Sequence, residues 1–376
     1  MKIAYLTSYY NGAVDGRLGR FHDWAHRLRD MDDPPFEHEI HAFTAVNPDD
    51  TLASRPLSLL GDGNQLWGQR SNKLEYLANA PRVYSDLQRS DFDVLHILQL
   101  NSIVYPTGIL NQDHPVVIGP DILGWNPIRS GGRWDVSFPD SLFPTFKYNA
   151  KRLLAYPQRY AAATTYSKYH CRILDNLGIP ESKTTRLPPG ISPIFSAENG
   201  DRAEDNGPPE LLYVGDFSEH KGFPEFIEAI KRLDRDVTAT VIGAGDADTT
   251  DAEKLPEVTI EGFVDRAELP NYYRRADLYV MPSIDEAGPN TIIEALACGT
   301  PVVATDKPGV NEFPPADASV FFWPRAAAPL AAALETALDQ LPQLATAAQS
   351  HANEFHVDRT IQHLSELYQT LLERTD

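Results

Sequence analysis

The chain has 376 residues, 33 Lys and Arg against 53 Asp and Glu, a net charge of −20 and two cysteines. At roughly 150 residues per domain this length suggests two domains, and a hydrophobic share of 42% excludes wholesale disorder. Cys171 and Cys298 are too few and too far apart for a disulfide framework or metal cluster, so acidic a chain repels nucleic-acid phosphates, and neither a signal-peptide pattern nor an 18-residue apolar run is present.

The pattern along the chain predicts alternating strands and helices. KIAYLT (2–7) reads as a buried strand, followed by a Gly-bearing loop and an amphipathic helix over about 16–30. Strands are expected at 38–45, 93–100, 115–119 and 161–167, with helices between them at 70–88 and 145–157. Residues 196–210, SAENGDRAEDNGPPE, hold almost no apolar side chain and read as a linker. The alternation then restarts, with strands at 211–216, 238–245, 258–263, 277–283 and 301–305. Helices are expected at 223–233, 268–276 and 290–299, and the tail from Ala326 is helical, with Ile361, Leu364, Leu367, Tyr368, Leu371 and Leu372 on one face.

Strands alternating with helices predict an α/β chain of two doubly wound parallel sheets, with a ligand cleft at the carboxyl ends of their strands. We expect a first domain at 1–195, a linker at 196–210 and a second domain at 211–376, whose final helix (about 358–374) packs back on the first. The charge divides the same way. Residues 1–195 carry 20 bases and 20 acids, residues 196–376 carry 13 and 33. The composition, with 32 Asp and only 10 Lys, fits a high-salt cytoplasm as well as an ordinary acidic protein.

Three stretches carry chemistry. In PSIDEAGPNTIIEALACGTPVVATD (282–306), Glu286 lies on the loop that feeds a helix and Glu294 about one turn inside it, with Asn290 expected as the cap. The free N–H groups of such a helix start bind phosphate, and the two carboxylates can accept hydroxyl hydrogen bonds. In VGDFSEHKGF (214–223), Lys221 stands at a strand–loop–helix junction, placed to neutralise a diphosphate. VIGAGD (241–246) lacks the third glycine of a dinucleotide fingerprint, having Asp248 there. By spacing alone each also fits an ordinary surface loop or helix.

Taken in order, these stretches resemble the donor half of retaining glycosyltransferases of the GT-B fold, the GT4 type known as glycosyl transferases group 1. EGFVDRAELPNYYRRADLYVMPS (261–283) and PGVNEF (308–313) extend the resemblance; GRLGRFHDWAHRL (16–28), DFDVLHILQLN (91–101) and RLPPGISPIF (186–195) match more loosely. The resemblance implies sugar transfer from a nucleoside-diphosphate sugar to a sugar or lipid-linked acceptor hydroxyl with retention, without resident cofactor or metal. It assigns the diphosphate to Lys221, the ribose to Glu294 and the transferred sugar to Glu286. The backbone of Gly288, Pro289, Asn290 and Thr291 would meet sugar and phosphate. Gly215, Asp216 and Gly243 would line the donor site, Gly16 would close over the phosphates, and Asp121 would contact the acceptor.

The chain departs from the family pattern at three positions. Asp216 stands where a base is usual, Leu98 replaces a second histidine beside His96, and Asp15 replaces a glycine. Arg20, Lys168 or Arg172 could offset Asp216 from across the cleft. The departures leave a second reading open, a non-catalytic or degenerate nucleotide-sugar binder, and a third, another GT-B enzyme such as an epimerase. Residues 125–190 carry ten bases and four acids; the stretch 146–160 in particular suggests peripheral contact with an anionic membrane, or simply a solvated face. The expected location is the cytoplasm.

Overall fold

The computed structural model describes residues 1–9, 20–44, 81–99, 114–121, 160–176, 178–197, 207–245, 247–284, 286 and 288–374. Its first sheet contains β1 (Lys2–Tyr9), β2 (Glu37–Thr44), β3 (Val94–Gln99), β4 (Val116–Asp121), β5 (Ala162–Thr165) and β6 (Thr184–Arg186). The order is β2-β1-β3-β4-β5-β6, all parallel. Ile3, Ala4, Tyr5 and Leu6 are all buried, as expected of a strand covered on both faces. Helices α1 (Arg20–Asp30) and α2 (Lys168–Asn176) pack beside it, and residues 81–89 are helical.

The second sheet contains β7 (Glu210–Val214), β8 (Thr238–Ile242), β9 (Val258–Gly262), β10 (Leu278–Met281), β11 (Val302–Thr305) and β12 (Ser319–Phe322). Its order is β12-β11-β10-β7-β8-β9, again parallel. The chain runs from β7 outward to β9, then returns to the other side of β7. The crevice between β7 and β10 is therefore a topological switch point, where open parallel sheets bind ligands. Helices α3 (Phe223–Ile230), α4 (Leu269–Arg275) and α5 (Asn290–Ala297) belong to this unit, followed by α6 (Ala327–Asp339), α7 (Leu341–His351) and α8 (Val357–Glu373).

The expected doubly wound architecture is present, and each predicted strand forms within a few residues of its expected bounds. β6 and β12 were not predicted. Both are short strands at sheet edges, too brief to show an alternation. The predicted helix at 145–157 and residues 198–206 of the predicted linker lie outside the described residues. Among the described residues no helix is long and apolar enough to cross a membrane.

The last helix joins the two sheets. Ile191 N–H donates to the Phe355 carbonyl, and Val357 N–H to that of Ile191, which delivers α8 onto α1. Ile361, Leu364, Tyr368 and Leu371 of its predicted apolar face are buried. The Tyr368 hydroxyl lies 2.6 Å from His96 Nδ1 and 3.0 Å from the Tyr5 hydroxyl, while His96 Nε2 is 2.8 Å from the Gly119 carbonyl. His96 is thus a core histidine with both ring nitrogens engaged, and burial pushes its pKa down to about 3. Leu98 is buried on the same strand.

Candidate functional site

Two loops meet at the switch point of the second sheet. One follows β7 and carries Gly215 to Gly222; the other follows β10 and leads into α5. Gly222 has φ +73°, and a Cβ there would run into the Pro282 carbonyl, so only glycine lets the first loop lie against the second. Ile284 N–H donates to the His220 carbonyl at 3.1 Å. The result brings Lys221 Nζ to 2.5 Å from Glu286 Oε1, with 27% and 13% of the two side chains exposed. Arg325, after β12, donates to the Glu219 carbonyl and pairs with Glu225 at 2.8 Å. That contact fixes the Lys221 loop from its other flank.

The start of α5 differs from expectation in one detail. Pro289, extended at φ −69° and ψ 106°, holds the cap position, and Asn290 is the first helical residue. Proline's fixed φ suits that extended position, so the chain enters the helix one residue earlier than an Asn cap would allow. Gly288 precedes this turn. Thr291 hydrogen-bonds to the Tyr279 side chain, a phenol that burial raises well above its ordinary pKa.

Glu294 sits one turn inside α5 and is buried. Tyr273 donates its hydroxyl to Glu294 Oε2 at 2.9 Å; burial, and then the Glu294 charge, hold this phenol protonated far above its usual range. Arg266, on the turn after β9, lies 3.9 Å from Glu294 Oε1. Its two terminal nitrogens donate to Asp23 of α1 at 2.6 and 2.7 Å. Burial opposes the Arg266 charge, but Asp23 and then Glu294 outweigh it and raise its pKa. A second carboxylate crosses the cleft in the opposite sense, Glu312 accepting from the Lys168 and Tyr169 amides at 2.6 and 2.9 Å, at the start of α2.

The structure therefore brings Lys221, Glu286, the α5 start and Glu294 to one crevice. Gly215 and Gly243 lie against each other at the ends of β7 and β8: Gly243 has φ +139°, and a Cβ there would meet the Gly215 carbonyl. Asp216 is exposed; its backbone carbonyl accepts from Tyr213 at 2.7 Å, and among the described residues no ion pair reaches its carboxylate, from Lys168, Arg172 or elsewhere. Asp121 is the last residue of β4, its side chain outside the described residues. Gly16 and residues 146–159 lie outside them too, as does the side chain of Arg20. Asp23, Arg266, Tyr273 and Arg325 were not predicted. Asp23 and Arg266 stand 243 positions apart, and no local pattern joins them.

Comparison with known proteins bears on this crevice. Residues 208–340 match the family model described as Glycosyl transferases group 1. Residues 208–340 form a glycosyl transferases group 1 domain. The chain is 37% identical over 123 residues to the putative teichuronic acid biosynthesis glycosyltransferase TuaC of Bacillus subtilis, covering 33% of this chain and 31% of that one. It is 35% identical over 170 residues to a glycogen synthase of Mycobacterium tuberculosis, covering 40% and 41%. The matches thus span about a third to two fifths of these relatives' lengths.

Solved structures extend the likeness to the whole architecture around the group 1 domain. Sucrose-phosphate synthase from Thermosynechococcus elongatus superposes with a TM-score of 0.75 at 19% identity, over 99% of both chains. Anabaena Alr3699/HepE, solved in complex with UDP-glucose, gives 0.69 at 19% identity, over 98% of this chain and 100% of that one. The fold is GT-B.

Proposed function

We propose that the chain is a retaining glycosyltransferase that moves a sugar, of the hexose class, from a nucleoside-diphosphate sugar to an acceptor hydroxyl in glycan, polysaccharide or glycolipid assembly. The observation that carries this reading is the pairing of Lys221 with Glu286 at the mouth of α5, one turn from Glu294, inside a group 1 domain. HepE, with the same fold, binds UDP-glucose.

In this reading the donor diphosphate displaces Glu286 as the partner of Lys221 and meets the amides at the start of α5. A cation and a helix N-terminus, preorganised in a partly dry crevice, stabilise the charge that grows on the leaving diphosphate. Glu294, oriented by the Tyr273 hydroxyl, accepts the ribose hydroxyls, while Glu286, freed from Lys221, accepts hydroxyls of the transferred sugar. The anomeric carbon–oxygen bond breaks, the departing diphosphate oxygen takes the acceptor hydroxyl's proton, and the acceptor oxygen bonds on the same face. No resident metal or cofactor is required in this scheme. Gly16 and Asp121 are proposed contacts from the first domain, to phosphate and acceptor. Asp216, being exposed, is screened by water, which lessens its repulsion of a diphosphate.

The test is a panel of UDP-, GDP- and ADP-sugars with and without EDTA, read by nucleoside-diphosphate release and by the anomeric configuration of the product. We expect turnover with one base, retained configuration and no loss in EDTA. Binding without turnover on any acceptor or water supports the non-catalytic binder instead. Glu294→Gln with unchanged turnover contradicts the ribose assignment.

A further inference from the structure

Arg266 touches three parts of the molecule. It pairs with Asp23 in the first turn of α1, in the first domain. It reaches toward Glu294 on α5, in the second. Its guanidinium also lies 5.1 Å from the ring centroid of Phe195, on the segment that crosses between them. Only 7% of the Arg266 side chain, 3% of Asp23 and 7% of Glu294 are exposed.

In this arrangement a carboxylate partner offsets the burial of the guanidinium, since an unpaired buried charge costs several kcal/mol. With the domains together, Asp23 takes both terminal nitrogens and holds Arg266 at 3.9 Å from Glu294, beyond hydrogen-bond reach. If the first domain moves away, Asp23 leaves with it. Glu294 is then the nearest carboxylate among the described residues, and the guanidinium can close on it through the fork geometry that Arg and carboxylates favour.

We propose that Arg266 is a positioning residue that couples domain closure to donor binding. Closure draws the guanidinium onto Asp23 and leaves Glu294 oriented by Tyr273; opening returns the guanidinium to Glu294, where it competes with the ribose hydroxyls. This rests on the reading of Glu294 as the ribose acceptor. Coupling of this kind is reciprocal, so a bound nucleotide also favours the closed arrangement.

The experiment measures binding of UDP and GDP to the full chain by calorimetry, together with the radius of gyration by small-angle scattering and the KM and kcat of the active donor. Asp23→Asn keeps the shape but removes the charge that draws Arg266 away. It should weaken nucleotide binding about tenfold, a shift within the usual range of coupling, enlarge the nucleotide-free particle and raise KM more than it lowers kcat. Asp23→Glu should bind as the wild type does. The double variant Asp23→Asn with Arg266→Met removes the competitor and should recover most of the lost affinity, whereas a purely structural pair would leave the double variant no better than the single. If the single variant does not fold, the double variant decides alone: near wild-type affinity supports the coupling, and a loss of tenfold or more refutes it. Unchanged affinity in Asp23→Asn also refutes it. Unchanged affinity in Glu294→Gln refutes the ribose reading beneath it, a separate outcome.

Discussion

Lys221–Glu286 and Arg266–Asp23 are both cation–carboxylate contacts at the same cleft, and they differ in everything but charge. The first joins two loops of one domain, keeps part of each side chain in water, and rests on a single lysine nitrogen. The second crosses domains, is nearly dry, and uses both terminal nitrogens of a planar fork. A half-wet, single-point pair is readily exchanged for a ligand that offers the same charge. A sealed fork is worth little relative to apolar packing and yet is costly to break from one side. In the proposed reading the chemistry falls to the wet pair, and the geometry to the dry one.

With stability as the yardstick, the contrast breaks first at the dry pair. Arg266→Met removes the cation and leaves Asp23 and Glu294 buried as neighbouring carboxylates. Removing one partner of such a pair costs about 3–5 kcal/mol, read as a fall in the urea midpoint at an unchanged slope. A loss below about 1 kcal/mol would show that the fork is not sealed in solution.

Acid provides the next largest effect. His96 must stay neutral in the fold, its pKa pushed down to about 3 by burial, against about 6.5 in the unfolded chain. Its stabilising contribution is complete above pH 6.5 and is lost as pH falls from 6.5 toward 3, where only the unfolded state binds the proton. The loss reaches roughly 3 kcal/mol by pH 4. His96→Gln should flatten that part of the stability–pH curve; a curve of unchanged slope would mean that the histidine is not sealed by Tyr368 and Gly119.

How much of this was legible beforehand follows from range. Lys221, Glu286 and Glu294 lie in short motifs whose strand, loop and helix are set by neighbouring residues, so their placement at a strand's carboxyl end could be read from sequence. The apolar face of α8 was equally readable, because its 3.6-residue period is local. Asp23 and Arg266 were not, since an Asp in a first helical turn and an Arg in a loop are each commonplace. Only the approach of the two domains turns them into a buried pair. The cap of α5 was misplaced by one residue because Asn is the better cap by type, whereas the Pro289 backbone decides the position here. β6 and β12 escaped because their strands depend on a neighbour already being in place.

A smaller effect separates backbone from charge. Gly222→Ala keeps both members of the wet pair but forces a side chain into a left-handed conformation against the Pro282 carbonyl. Strain of this type costs about 1–3 kcal/mol, and relief by moving the loop carries Lys221 away from Glu286. Nucleotide affinity and stability should therefore fall together, seen in calorimetry and thermal melts of the same preparation. Affinity that survives would mean that Lys221 reaches its ligand without the contact between the two loops.

The smallest effect on stability should come from Lys221→Met, although the residue is the centre of the proposed chemistry. Both side chains of the pair keep some contact with solvent, and partly exposed ion pairs contribute only up to about 1 kcal/mol, so the unfolding midpoint should barely move. Turnover should fall by about a hundredfold to a thousandfold, the usual consequence of deleting one preorganised group that faces developing charge. The two readings together sharpen the contrast between the pairs. A wet pair that proved as costly to break as the Arg266 fork would be structural, and the diphosphate would need another cation in the group 1 domain. A wet pair whose loss changes rate without changing stability is held in reserve for the ligand.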